Sequence, residues 1–228
     1  MKQKKSLGCL LIHGFCGSRS EISVLADYFN DQGIDARMVV LKGHESTLRE
    51  LRRSTRQDWL CSAVKAMEHM KRDYENVVVI GFSMGGLCAT YLQTFSPVAT
   101  ILINCPIYFW NMKIIIPDFM KDFHRALHRY ILKNTATSPR SLYQFLSLLK
   151  ETLKENRFGC IQCPTMVIQS KDDETVNPKS AKYIYHHLGS SQKELRSYIH
   201  GGHRILMSKR SLDVCRDIDR FLRQNGIV

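Results

Sequence analysis

Gly81-Phe82-Ser83-Met84-Gly85-Gly86 sets a serine between glycines where the apolar run Val77–Ile80 gives way to a helical pattern. A serine on a tight strand-to-helix turn holds its hydroxyl clear of the backbone, and the first helical N–H groups favour negative charge beside it. Gly81 and Gly85 remove side chains that would collide across such a turn. The chemistry this suits is attack on a carbonyl carbon, for which a serine needs a base. Of the nine histidines, His203 is the best placed, because Gly201-Gly202-His203 follows the last apolar run and precedes the last helical pattern. His200 ends that run, His186 and His187 fall on a helix surface, and His13 is expected to organise a glycine loop by hydrogen bonding. The base in turn needs a carboxylate to hold its tautomer. Ser170-Lys171-Asp172-Asp173-Glu174 follows the fifth apolar run, and spacing alone leaves all three acids open. The oxyanion formed on attack needs two donors. The backbone N–H of Met84, next to the nucleophile, and that of Phe15, in His13-Gly14-Phe15-Cys16-Gly17, are the candidates.

The elements that must position these groups alternate along the chain. Apolar runs at Gly8–Ile12, Ala36–Leu41, Val77–Gly81, Thr100–Asn104, Thr165–Gln169 and Leu195–Ile199 read as strands. Amphipathic patterns at Glu21–Gln32, Arg56–Asp73, Met84–Phe95, Pro178–Leu188 and Ser208–Gln224 read as helices. The expected fold is α/β, with a mostly parallel sheet of six strands (or slightly more) and helices on both faces. From Pro106 to Gln162 no strand is legible. Two helical patterns occupy it: Phe119, Phe123, Leu127, Tyr130 and Ile131, then Leu142, Phe145, Leu146, Leu149 and Leu153. So long a block exceeds a simple connection. The expected organisation is a core of residues 1–105 and 163–228 with a helical insertion at 106–162.

At 228 residues, 44% hydrophobic and 24% charged, the chain is long enough for a sizeable core and is not disordered. No apolar run is long enough to span a membrane. The net charge of +12 invites a nucleic-acid or anionic-membrane partner. Basic residues cluster at Arg49, Arg52, Arg53 and Arg56, and at Arg125, Arg129 and Lys133, but without the interleaved aromatics of a nucleic-acid motif. No nucleic-acid partner is expected. After the basic Met1–Lys5 the apolar stretch is only Cys9–Ile12, too short for a signal peptide. The eight cysteines are therefore expected to be reduced, mostly buried thiols of a cytoplasmic protein. Cys160-x-x-Cys163 has no second pair to complete a zinc site.

Leu11-Ile12-His13-Gly14-Phe15, Lys42-Gly43-His44, Gly81–Gly86, Asp172–Pro178 and Gly202-His203 together resemble the serine carboxylesterases of the α/β-hydrolase superfamily, above all the small bacterial carboxylesterases and monoacylglycerol lipases. The resemblance spans nearly the whole chain. It implies that Asp173, followed by Glu174 and then by Asn177-Pro178, is the acid of a Ser83-Asp173-His203 triad. It also implies that residues 106–162 form a small cap over an acyl pocket. Phe109, Trp110, Phe119, Phe123 and Phe145 are the candidate pocket lining. The expected substrates are short- to medium-chain acyl esters, with monoacylglycerols as candidates, cleaved without metal or cofactor. A thioester or amide could be cleaved by the same groups, and a low-turnover binding protein could keep the fold. Glu45 stands where family members often have glycine, and Arg204 follows the histidine.

Overall fold

The apolar runs form one sheet in the computed structural model, which describes residues 4–109 and 138–228. Its strands are β1 (Lys5–Ile12), β2 (Asp35–Val39), β3 (Tyr74–Phe82), β4 (Ala99–Ile103), β5 (Thr165–Ser170) and β6 (Lys193–Tyr198). They lie in the order β2-β1-β3-β4-β5-β6 and every pairing is parallel. The helices are α1 (Ser23–Asp31), α2 (Leu48–Arg53), α3 (Arg56–Asp73), α4 (Met84–Tyr91), α5 (Pro139–Lys154), α6 (Lys179–His187) and α7 (Ser211–Gln224). The strand order reverses at β1, which has β2 on one side and β3 on the other. Loops leaving β1 and β3 therefore diverge at the carboxyl edge and open a crevice, where α/β sheets bind ligands.

Alternation along the strands divides the core in two. Leu10, Ile12, Val77 and Val79 face Trp59, Met67, Leu87 and Ile184 of α3, α4 and α6. Cys9, Leu11, Val78 and Ile80 face Leu25, Phe29, Val214 and Ile218 of α1 and α7. Burial on both faces explains why β4 and β5 read as unbroken apolar runs. β6, at the edge, reads Lys-Glu-Leu-Arg-Ser-Tyr and is largely half-buried. Helix α3 starts at a capping box, with the Thr55 side chain and Asp58 each satisfying the other's backbone N–H.

The helical pattern from Leu142 to Leu153 is α5, which starts at the Ser138 cap. Its Phe145, Leu148 and Leu149 join the same buried cluster as α3 and α4. Glu151 pairs with Arg56 of α3 at 2.6 Å. The pattern from Phe119 to Ile131 lies outside the described residues, as do Trp110, Arg125, Arg129 and Lys133. The short α2 was not expected, because six residues carry too little periodicity to be seen. Its Arg49, Arg52 and Arg53 line, with Arg140, a cavity of about 460 Å³.

The cysteine expectation needs correcting. Only Cys9, Cys88, Cys105 and Cys215 are buried; Cys16, Cys61 and Cys160 are exposed, on a loop, a helix surface and the end of a short 3-10 helix. None of the eight forms a disulfide. The Cys160 and Cys163 sulfurs meet different partners, the Asn156 carbonyl and the Thr100 hydroxyl respectively. Among the described residues no helix is long and apolar enough to cross a membrane.

Leu148 is fully buried. If α5 belongs to the core, Leu148→Ala should destabilise the protein by about 2–5 kcal/mol in denaturant unfolding. A loss of a few tenths would make α5 a detachable cover.

Candidate active site

Ser83 sits between the last residue of β3 and the first of α4, with φ 51° and ψ −122°. A non-glycine residue held there costs on the order of 1–3 kcal/mol and persists only where its surroundings enforce it. The surroundings here are backbone. A Cβ on Gly81 would lie 2.4 Å from the Gly85 carbonyl oxygen, and one on Gly85 would lie 2.2 Å from that of Ile12. The Ser83 N–H donates to the Ile103 carbonyl at 2.8 Å, which ties the turn to β4.

The loops after β5 and β6 bring the other two side chains to this turn. His203 Nε2 lies 3.1 Å from Ser83 Oγ, and His203 Nδ1 lies 2.9 Å from Asp173 Oδ2. With Nδ1–H donating to the carboxylate, Nε2 is left to accept the serine hydroxyl proton. Asp173 is fully buried. Its oxygens also accept from the backbone N–H groups of Thr175 and Val176 and from Gln169 Nε2.

The three adjacent acids that spacing could not separate have three different jobs on the same loop. Asp172 accepts from the N–H groups of Gly201 and Gly202, and from the Ser170 hydroxyl. Burial works against its charge, but those donors outweigh it and hold its carboxyl below the usual range. Asp173 takes the imidazole, and Glu174 accepts the His203 backbone N–H at 3.1 Å. Gly202, at φ 63°, allows the turn that presents the ring. His200 is exposed and lies 3.5 Å from Asp172, away from Ser83. Burial opposes a charge on His203, but Asp173 through charge and hydrogen bond, then Glu174 and Glu21 through charge, outweigh it and raise its pKa.

The loop after β1 carries the proposed oxyanion donor. A Cβ on Gly14 would sit 3.2 Å from that of Ser83, so this loop passes directly beside the serine. The Gly14 carbonyl accepts from His13 Nδ1 at 2.9 Å and from the Gly17 N–H at 3.2 Å. In a trans peptide the C=O and the following N–H point opposite ways, so pinning that carbonyl aims the Phe15 N–H. The amides of Gly14 and Cys16 donate to Glu21 and to His44 Nε2. Among the described residues, no acceptor meets the amides of Phe15 and Met84. His13 Nε2 accepts from the Leu41 N–H, as expected of a loop organiser. Burial lowers the pKa of His13, and burial with the neighbouring His13 lowers that of His44 to about 4, so both act as neutral hydrogen-bonding groups.

Two of the aromatic candidates meet above this loop. Phe145 stacks on Phe15 with ring centres 4.8 Å apart and meets Phe109 edge-on at 5.3 Å. Trp110, Phe119 and Phe123 lie outside the described residues. Sequence reasoning missed Asn104 and Glu21. Asn104, buried at the end of β4, donates from Nδ2 to the carbonyls of Gly202 and His203 and accepts the Ser170 N–H. A polar residue closing an apolar run was the available signal. Two of the residues that depart from the family pattern have partners: Glu45 forms an ion pair with Arg19 at 2.7 Å, and Arg204 lies 3.9 Å from Glu21.

A parallel sheet with a serine on a strand-to-helix turn, then a carboxylate and a histidine in chain order, defines an α/β-hydrolase. Within that class the chain belongs to the prolyl oligopeptidase family, whose model matches residues 44–226. It is 26% identical to a carboxylesterase of Bacillus subtilis (strain 168), over 94% of this chain and 92% of that one. It is 28% identical to a thermostable monoacylglycerol lipase of Bacillus sp. (strain H-257), over 83% and 79%. A solved structure described among two metagenome-derived lipolytic enzymes superposes with a TM-score of 0.79 at 21% identity, covering 97% and 95% of the chains.

The contacts predict separate titration behaviour for the two aspartates. By NMR, His203 should titrate above the ordinary histidine value of about 6.5. Asp173→Asn should lower that value, whereas Asp172→Asn should shift it far less. Equal shifts would refute the assignment of Asp173 to the ring.

Proposed function

We propose that this chain is a serine hydrolase of carboxylic esters, with Ser83 as nucleophile, His203 as base and Asp173 as the acid that orients it. The observation that carries this reading is the relay from Ser83 Oγ to Nε2 at 3.1 Å and from Nδ1 to Asp173 at 2.9 Å. The ester hydrolases among its relatives support the same reading.

Ser83 Oγ attacks the ester carbonyl as its proton passes to Nε2. The imidazolium so formed faces the Asp173 carboxylate. The carbonyl oxygen, now negative, takes the N–H groups of Phe15 and Met84, each such donor being worth about 3–4 kcal/mol in the transition state. Collapse sends the Nε2 proton to the leaving alkoxide and leaves an acyl-serine. Water then attacks with its proton drawn to Nε2, and the acid leaves as Ser83 recovers its hydrogen. These side chains and amides suffice for every step.

Phe15, Phe109 and Phe145 form an apolar wall along which an acyl chain of short to medium length would lie. Monoacylglycerols are the candidate physiological class. The prolyl oligopeptidase match favours a second reading, cleavage of a peptide amide by the same groups. Parallel assays of nitrophenyl esters and peptidyl nitroanilides separate the two.

A fluorophosphonate should add once, on Ser83, as read by mass spectrometry. Ser83→Ala should lower ester kcat by on the order of 10⁴–10⁶. Normal turnover in that variant would end the proposal. Because the base must be unprotonated, kcat/KM should fall as pH drops through the raised His203 pKa, with its acid limb above about 6.5.

A further inference from the structure

Glu21 is used by none of these steps, yet its side chain is only 12% exposed and lies between the two loops that flank Ser83. On one side its Oε2 accepts the Gly14 N–H at 3.3 Å. On the other its Oε1 lies 3.9 Å from Nε of Arg204, the residue after His203. Its carboxylate lies directly against Gly17. A Cβ on Gly17 would sit 1.9 Å from Oε2 and 2.6 Å from Cδ. The carboxylate thus fits into a notch in the loop, which has no side chain there.

We propose, resting on the ester-hydrolase reading above, that Glu21 is a positioning residue for oxyanion stabilisation. Its carboxylate fixes the peptide plane before Gly14, while His13 and Gly17 fix the plane after it, and together they aim the Phe15 N–H at the oxygen that becomes negative. The contact that matters is the acceptor on the Gly14 N–H. The ion pair with Arg204 is long and exposed on the arginine side, and such pairs contribute little. Burial raises the Glu21 pKa against the pull of Gly14, Arg204 and His203, but either protonation state retains an oxygen that can accept the amide.

The oxyanion forms only in the transition state, so a misaimed donor is felt in kcat rather than in ground-state binding. Glu21→Ala should lower kcat on a nitrophenyl ester by about 10- to 100-fold, with KM within about twofold, because small errors of placement at such sites are costly. Glu21→Gln keeps an acceptor in the notch and should restore kcat to within about threefold of the unsubstituted protein. Both variants are assayed at a temperature where their melting curves show them folded. Hydrogen exchange of the peptide covering residues 13–22, read by mass spectrometry, should accelerate in Glu21→Ala and not in Glu21→Gln. Unchanged kcat in the alanine variant, an effect on KM alone, or glutamine no better than alanine would overturn the proposal. If the unsubstituted protein cleaves no ester, the parent reading fails. The exchange measurement then still decides whether Glu21 anchors the loop, and equal exchange in all three proteins would refute it.

Discussion

The first turn of α4 approaches the end of β1 so closely that no side chain fits between them. A Cβ on Gly85 would lie only 2.2 Å from the Ile12 carbonyl oxygen. This contact sets the site's geometry. β3 turns into its helix within one residue, Ser83, held at a positive φ that a serine would otherwise avoid. The strain at Ser83 is balanced by packing across two strands and a helix, so relaxing it would require the core to open.

The polar groups around this turn are arranged so that most of them cannot move. Each of the acids from Asp172 to Glu174 accepts from a different donor on the histidine loop, and Asn104 clamps the same loop from β4 by its carbonyls. The loop after β1 is held in the same way by His13, His44 and Glu21. A buried donor left without a partner costs about 1–3 kcal/mol. Among the described residues, no acceptor meets the amides of Phe15 and Met84. An arriving oxygen that can accept from both relieves that cost, and a negative one does so best. Preorganisation here means that the donors are oriented in advance by bonds made elsewhere in the fold.

The residues that depart from the family pattern belong to this same network. Glu45 anchors Arg19, and Arg204 faces Glu21; Arg19 and Glu21 are two residues apart on the turn that follows the glycine loop. Helix α5 likewise joins the site to the core. Its buried side sits among core residues of α3 and α4, while Phe145 reaches Phe15 above the crevice. A change in that helix therefore couples the wall of the crevice to the packing of the core.

Six strands, the helices that flank them, the serine on its turn and the histidine after the last strand were legible along the chain, because each is a local pattern. Period, punctuation by glycine and chain order are properties of neighbours in sequence. Burial on both faces made β4 and β5 plain, whereas α2 was too short to show a period. The choice among Asp172, Asp173 and Glu174 was not local. Adjacent acids have the same chemistry and nearly the same spacing, and only the path of a loop 30 residues later decides which one meets the imidazole. The roles of Glu21 and Asn104 were not legible for the same reason, although Asn104 stood out as a polar residue closing an apolar run. Their partners lie 7, 98 and 99 residues away. The sequence by itself determined which groups could react and on which strand ends they stand. Tertiary structure alone decided which polar atoms meet, because a hydrogen bond depends on ångström distances between segments that have no relation until the sheet brings them together.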